Sequence, residues 1–279
     1  FAARFGAAPF TDLGRLLRTA RPELLVVALP PFAHEGQVEA AAAAGVHLLV
    51  EKPPALTQDR ADAMVAAAAA SGVVAACGFM YRFGDALARW DAADTGRAGL
   101  FAGHFHCNSA HAPWWRSRAL SGGQVVEQLV HLVDLARHHL GEPRRVYARA
   151  ATFFHGGEPG YDADDVSALV LGYDDGRVGV LNATNGAVPG VWDKRWEVVA
   201  ERMTGHFTGW NTATLTAVPS GAVERVDGTT DVVAAQLADV VAAIRAGRPP
   251  RVPLADGAAT LRVVMAAARS ATEGREVRL

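Results

Sequence analysis

Glu127, His131, Asp134 and His138 follow one another at intervals of four, three and four residues, the spacing that lines side chains along one face of a helix. Val126, Leu129, Val130 and Val133 fall on the opposite side. A carboxylate one turn from an imidazole can orient the ring and raise its affinity for a proton, as a general base for an alcohol hydroxyl requires. The same stripe also reads as the wet face of an amphipathic helix, and the residues alone leave both readings open. The second reactive position is Lys52, tied between an apolar strand and Pro53-Pro54 and so held rather than free to extend into water. Its competing reading is an ordinary surface lysine in a turn.

These groups need a scaffold, and the apolar pattern supplies one. Residues 24–29, 47–50 and 73–79 are continuous apolar runs of strand length, the pattern of strands covered on both faces in a parallel sheet. Helical segments at 12–20, 34–45 and 58–71 precede or separate them, which predicts a doubly wound sheet. In such a sheet ligands bind outside the carboxyl ends of the strands. Pro30, Pro31 and His34 follow the first strand, Glu51, Lys52 and Pro53 the second, and Tyr81 and Arg82 the third. Beyond residue 81 the period changes to two, with strands predicted at 99–108, 145–154, 166–173, 177–184, 195–201 and 212–217. Asp174-Asp175-Gly176 is a hairpin turn, and helices are expected at 85–93, 123–140, 231–246 and 258–272. The fold class is therefore α/β plus α+β. An incomplete Rossmann-type parallel sheet occupies residues 1–80, and a larger open, mainly antiparallel sheet domain with flanking helices occupies residues 81–279.

A chain of 279 residues with 50% hydrophobic content can fill a sizeable core. With a net charge of -2 and no block of like charge, it has no footprint for nucleic acid or an anionic membrane, so the expected partner is a small molecule. Two cysteines, Cys77 and Cys107, both in strand patterns, fit a reducing cytoplasm. The apolar windows are too short to span a bilayer. His104 and His106 share one face of a strand, but no cysteine or carboxylate cluster completes a zinc-like set nearby, so no catalytic metal is expected.

The stretch VVALPPFAHEGQVEAAAAAGVHLLVEKPPAL, beginning at Val26, resembles the motif of the Gfo/Idh/MocA family of NAD(P)-dependent oxidoreductases. Residues 121–134 resemble that family's second motif, paired glycines followed by an acidic residue, a histidine and an aspartate. The runs AIRAGRPP from Ala243 and EGREVRL from Glu273 match in order as well. The resemblance implies that Lys52 bonds the reacting hydroxyl and the nicotinamide ribose, that His131 takes or relays the hydroxyl proton, and that Glu127 orients His131 and binds substrate. It places Pro30, Pro31, His34, Glu51, Lys52 and Pro53 against NAD or NADP, with a cis bond before Pro53. Tyr81, Arg82, Trp114, Trp115 and Arg116, together with Glu127 and His131, become the wall for a sugar- or polyol-like substrate. The implied assembly is a homo-oligomer, a dimer or tetramer.

Glu127 stands where the family usually has aspartate, and Leu129 where glycine is common. No G-x-G-x-x-G turn occurs, so the segment that grips the cofactor pyrophosphate is expected to lie outside this chain, which then resembles an N-terminally shortened member. Two further functions stay open at this level: a non-catalytic ligand sensor or scaffold of the same fold, and an enzyme that uses NAD transiently to assist elimination or glycoside cleavage.

Overall fold

Short leucine- and valine-rich runs closed by glycine or proline become the strands of a three-stranded parallel sheet, in a computed structural model that describes residues 2–108 and 112–279. Its strands are β1 (Leu24–Val27), β2 (His47–Val50) and β3 (Ala75–Cys77), paired in that order. Helix α1 (Leu13–Ala20) precedes them, and α2 (Gln37–Ala43) and α3 (Gln58–Ser71) connect them. Thr57 caps α3 through the Arg60 amide, and Gly72 closes it at φ 65°, a left-handed conformation that suits glycine. Leu48 and Val50 of β2 face the main core with Val38 and Ala41 of α2, whereas Leu49 turns to the other side and meets Val240. β1 is the edge strand of this sheet, and Val26 is 47% exposed, so the burial on both faces that its apolar run suggests is incomplete.

Helix α4 (Asp85–Asp91) leads into β4 (Ala98–His106). Three short helical turns follow, α5 (Pro113–Arg116), α6 (Arg118–Ser121) and α7 (Gln124–Glu127), and then α8 (Val130–Leu140). The remaining strands are β5 (Arg145–Ala151), β6 (Val166–Gly172), β7 (Val178–Thr184), β8 (Asp193–Ala200), β9 (Met203–Thr208), β10 (Thr212–Ala217) and β11 (Val223–Asp227). Helices α9 (Val232–Ala246) and α10 (Leu254–Glu273) precede a final short strand, β12 (Val277–Arg278). The nine strands of this second sheet run β11-β10-β9-β8-β4-β7-β6-β5-β12, and only β4 and β7 pair in parallel. Alternate residues of β4 are buried: Phe101 and Phe105 face the core under α8, and His104 and His106 face the open side.

Strands β9, β11 and β12 escape a pattern search for physical reasons. β9 carries a glycine and a histidine, β11 is largely exposed and polar, and β12 has two residues. The helix expected over residues 123–140 is divided. The Leu129 amide donates to the Gln124 carbonyl, five residues back at 3.3 Å, and this wide turn separates α7 from α8 between Glu127 and His131. Among the described residues no helix is long and apolar enough to cross a membrane.

The C-terminal helices return to the first sheet. α9 covers β2, and α10 packs against α3 and β3 while also contacting β5 and α8. The Cys77 amide donates to the Val252 carbonyl at 3.0 Å, which seats the start of α10 on β3. The approach is close at Gly257, where an added Cβ would stand 2.5 Å from Cys77 Sγ and 2.7 Å from Cys77 Cβ. Gly257→Ala is therefore expected to destabilise the protein by about 1–3 kcal/mol through overpacking. Cys77→Ala should recover part of that loss, as read by thermal unfolding; a Gly257→Ala variant as stable as the parent would contradict the packing.

Candidate active site

The loop after β2 and the turn between α7 and α8 bring the reactive residues together. The Lys52-Pro53 peptide is cis, as the family likeness implied. Lys52 Nζ donates to Glu127 Oε1 at 2.6 Å and to the Glu127 carbonyl at 3.0 Å. Lys52 and Glu127 side chains are only 15% and 8% exposed, so this pair is shielded from water. Glu51 lies alongside, its Oε2 accepting from the Lys52 amide at 3.3 Å and packing onto Gly78, where a Cβ would stand 2.8 Å from that oxygen.

His131 sits one turn beyond Glu127 in an aromatic pocket, its ring 5.1 Å from that of Tyr81, 6.1 Å from Phe79 and 6.4 Å from Phe105. Burial pushes its pKa well below the ordinary value, and the positive charges of Lys52 and Lys194 push it further, so the ring is neutral; the expectation that Glu127 orients it and raises its proton affinity is corrected, because that carboxylate turns to Lys52. Burial raises the Glu127 carboxyl against the opposing pull of Lys52. Glu127 Oε2, His131 Nδ1 and Tyr81 Oη are buried without a hydrogen-bond partner among the described residues. Buried polar atoms are normally satisfied, so this cluster of exceptions marks a place where a polar ligand would bond.

Glu127, His131 and Asp134 of the helical stripe read from the sequence are buried and His138 is half-buried, and the stripe serves two separate purposes. Glu127 and His131 face Lys52, whereas Asp134 and His138 engage Arg82. Arg82 is thereby corrected: its guanidinium bonds both Asp134 oxygens at 2.8 and 2.9 Å, His138 Nδ1 at 2.8 Å and Asp256 at 3.2 Å, which spends it inside the core instead of on a substrate wall. His34 is drawn into the loops as well, with Nδ1 2.6 Å from the Pro54 carbonyl and Nε2 3.1 Å from that of Leu29. It ties together the segments that carry Pro30 and Lys52; Pro31 is buried beside it. On α5, Trp114 meets Phe32 at 6.4 Å, Trp115 meets Trp192 at 6.4 Å, and Arg116 approaches Glu158 at 3.9 Å. Trp115 lines a small recess with Gly123, Gln124, Glu127 and Asp164.

Two features were not read from the sequence. Lys194, at the start of β8, places its ammonium over the Tyr81 and Phe105 rings that also face His131. Nothing in a strand-end lysine after Trp192-Asp193 signals that position. The expectation that no carboxylate joins His104 and His106 is also corrected. Pairing of β4 with β8 brings Asp193 across, and all three donor atoms lie within 4.8 Å of one another on the open face of the sheet, which is the face opposite Phe105 and His131.

Residues 1–79 match the profile described as an oxidoreductase family with an NAD-binding Rossmann fold, and residues 83–204 match the GFO/IDH/MocA C-terminal domain. The chain belongs to the Gfo/Idh/MocA family. Among its relatives, the 2,7-anhydro-N-acetylneuraminate hydratase of Mediterraneibacter gnavus is 30% identical over 61% of this chain and 48% of that protein, so the match spans about half of that relative's length. The myo-inositol 2-dehydrogenase of Thermotoga maritima is 26% identical over 97% of this chain and 84% of its own. Among solved structures, GenD2 from gentamicin A biosynthesis, in complex with NAD, superposes with a TM-score of 0.84 at 28% identity, covering 100% of this chain and 84% of that one. Levoglucosan dehydrogenase with NADH and levoglucosan reaches 0.90 at 21% identity over 99% and 85% of the two chains, a likeness of fold.

The buried imidazole predicts a pH dependence. On unfolding, His131 returns to the ordinary value of 6.5, so below that pH the unfolded chain binds a proton that the folded chain excludes. Stability is complete above that value and is lost as the pH falls towards the depressed folded value. His139, near the end of α8 and shifted the same way by burial, adds to the loss. The raised Glu127 works in the opposite sense: its contribution is present below 4.5 and is lost as the pH rises through the folded value. Denaturant unfolding at about pH 7 and about pH 5.5 should show wild type losing more stability on acidification than His131→Asn. Equal losses in the two proteins would remove His131 from the account.

Proposed function

We propose that this chain carries the catalytic cleft of a nicotinamide-dependent dehydrogenase acting on a secondary alcohol of a sugar or polyol. The observation that carries the reading is the Lys52–Glu127 pair beside a neutral, buried His131, with unsatisfied polar atoms on Glu127, His131 and Tyr81. Those atoms fit a polyhydroxylated ligand. The loops at the carboxyl ends of β1 and β2 fit the nicotinamide end of NAD or NADP, where Pro30, Pro31, Glu51, Lys52 and Pro53 would hold it. His34 acts on that end through the loops it ties. A bound nicotinamide supplies the hydride acceptor. Lys52 donates to the substrate hydroxyl and stabilises negative charge developing on its oxygen, while the neutral His131 accepts the proton. Glu127 fixes the Lys52 ammonium and offers Oε2 to a neighbouring hydroxyl. The aromatic side chains Tyr81, Trp114 and Trp115 suit the apolar face of a sugar ring, and Arg116 its polar rim.

A second reading is supported by the similarity to the hydratase of Mediterraneibacter gnavus. In it, the same cleft oxidises its substrate transiently to assist elimination or glycoside cleavage. Product analysis separates the two, because the second accumulates no reduced cofactor.

Lys52→Met is expected to lower turnover by roughly two decades or more, followed as the rate of NADH or NADPH formation with a panel of sugars and polyols. Turnover that survives the change would exclude the role given to Lys52.

The reading extends to a homo-oligomer, a dimer or tetramer, built through the open face of the nine-stranded sheet, where Tyr147, Val166, Val170, Val180 and Val199 stand exposed. Sedimentation is expected to show the assembly, and Val170→Lys with Val180→Lys to dissociate it; a monomeric parent protein would end this part of the proposal.

A further inference from the structure

Lys194 is held in a cage of rings, its Nζ 4.8 Å from the centroid of Trp210, 5.2 Å from Trp192, 5.4 Å from Phe105 and 5.9 Å from Tyr81. Tyr81 and Phe105 are the rings that also contact His131, at 5.1 and 6.4 Å, so the ammonium and the imidazole share two aromatic neighbours, and the charge of Lys194 acts on His131. The ammonium makes no ion pair or hydrogen bond among the described residues. The ionisable groups acting on it are the Cys107 thiol and Lys52, and the latter is a like charge. Burial and Lys52 both work against the charged form.

An ammonium taken partly out of water beside a second cation normally has a carboxylate partner. Aromatic faces compensate only in part. The other buried cations of this protein follow that rule: Lys52 has Glu127, Arg82 has Asp134, and Arg137 has Glu142 and Asp256. Lys194 departs from it, and its charge acts on His131. We propose that Lys194 is an anion subsite beside His131 that takes the carboxylate of a sugar acid. The carboxylate is favoured over a phosphate because a single ammonium, with no guanidinium fork beside it in the cage, matches one negative charge. The aromatic rings around the ammonium meanwhile suit the apolar face of the sugar ring. This inference rests on the reading of the cleft as a sugar- or polyol-binding site.

The test is direct ligand binding to the full chain, by calorimetry or saturation-transfer NMR, so that it does not depend on turnover. The probes are D-glucuronate, D-galacturonate, the neutral methyl ester of glucuronate, D-glucose and glucose 6-phosphate. Wild type is expected to bind the acids about tenfold or more tightly than the ester and glucose, with a preference that weakens as salt is raised. Lys194→Met should abolish the preference and Lys194→Arg should keep most of it. Equal binding of acid and ester, no measurable binding of either acid, a preference retained in Lys194→Met, or tighter binding of the phosphate than of the acids would each overturn the subsite. If neutral sugars reduce the cofactor but show no competition from the acids, the subsite fails while the dehydrogenase reading stands. If a Lys194-dependent acid preference appears without hydride transfer from any substrate, the reverse holds.

Discussion

The ion pair between Lys52 and Glu127 is the contact on which the site depends. It joins the loop after the second strand of the small parallel sheet to the helical turn lying on the large sheet, and both partners are almost out of water. A buried pair of this kind contributes modestly to net stability because desolvation opposes the Coulomb gain, but breaking it leaves an uncompensated charge. Its value here is positional: the amine is held against the α7 turn that leads into the helix carrying His131. The cis Lys52-Pro53 peptide, the His34 bonds to the Leu29 and Pro54 carbonyls and the Glu51 contact with Gly78 all act on the same loop.

A second buried set lies one turn further along α8 and works differently. Asp134 is fully buried and takes two bonds from Arg82, while Arg137, also on α8, reaches Asp256 and Thr260 of α10. These bonds fasten α8 to the segment after β3 and to α10, which itself leans on β3 at Gly257. The α7 turn and the start of α8 therefore present Glu127 and His131 to the cleft while the later turns of α8 are locked into the core. The wide turn at Leu129 lets the chain change course between those two functional residues, a common place for such a turn.

The electrostatic balance of the cleft follows from burial. With Lys52 neutralised by Glu127, the remaining ammonium is Lys194, and both positive charges keep His131 neutral. A neutral imidazole among aromatic rings can accept a proton without first losing one, and the cations nearby favour an oxygen that has just given its proton up. The same low-polarity surroundings raise the Glu127 carboxyl and the Tyr81 phenol.

Continuous apolar runs, turn residues and helix caps are local signals, and they were enough to locate β1 to β3, the β6–β7 hairpin, the Lys-Pro loop and the Glu127–His131 spacing in the sequence. Ordered motifs along the chain were enough for the family. What the sequence could not decide was which polar groups would share a space, because that depends on pairings between residues far apart in the chain. The stripe from Glu127 to His138 looked like a single unit, yet Arg82 claimed half of it, since a buried guanidinium requires carboxylates and Asp134 and Asp256 were within reach. Asp193 beside His104, and Lys194 beside His131, arise from the pairing of β8 with β4, an antiparallel contact that no local pattern announces. Local propensity and hydrophobic period thus determined the elements and two of the reactive residues; strand register and the need to compensate buried charge decided their partners.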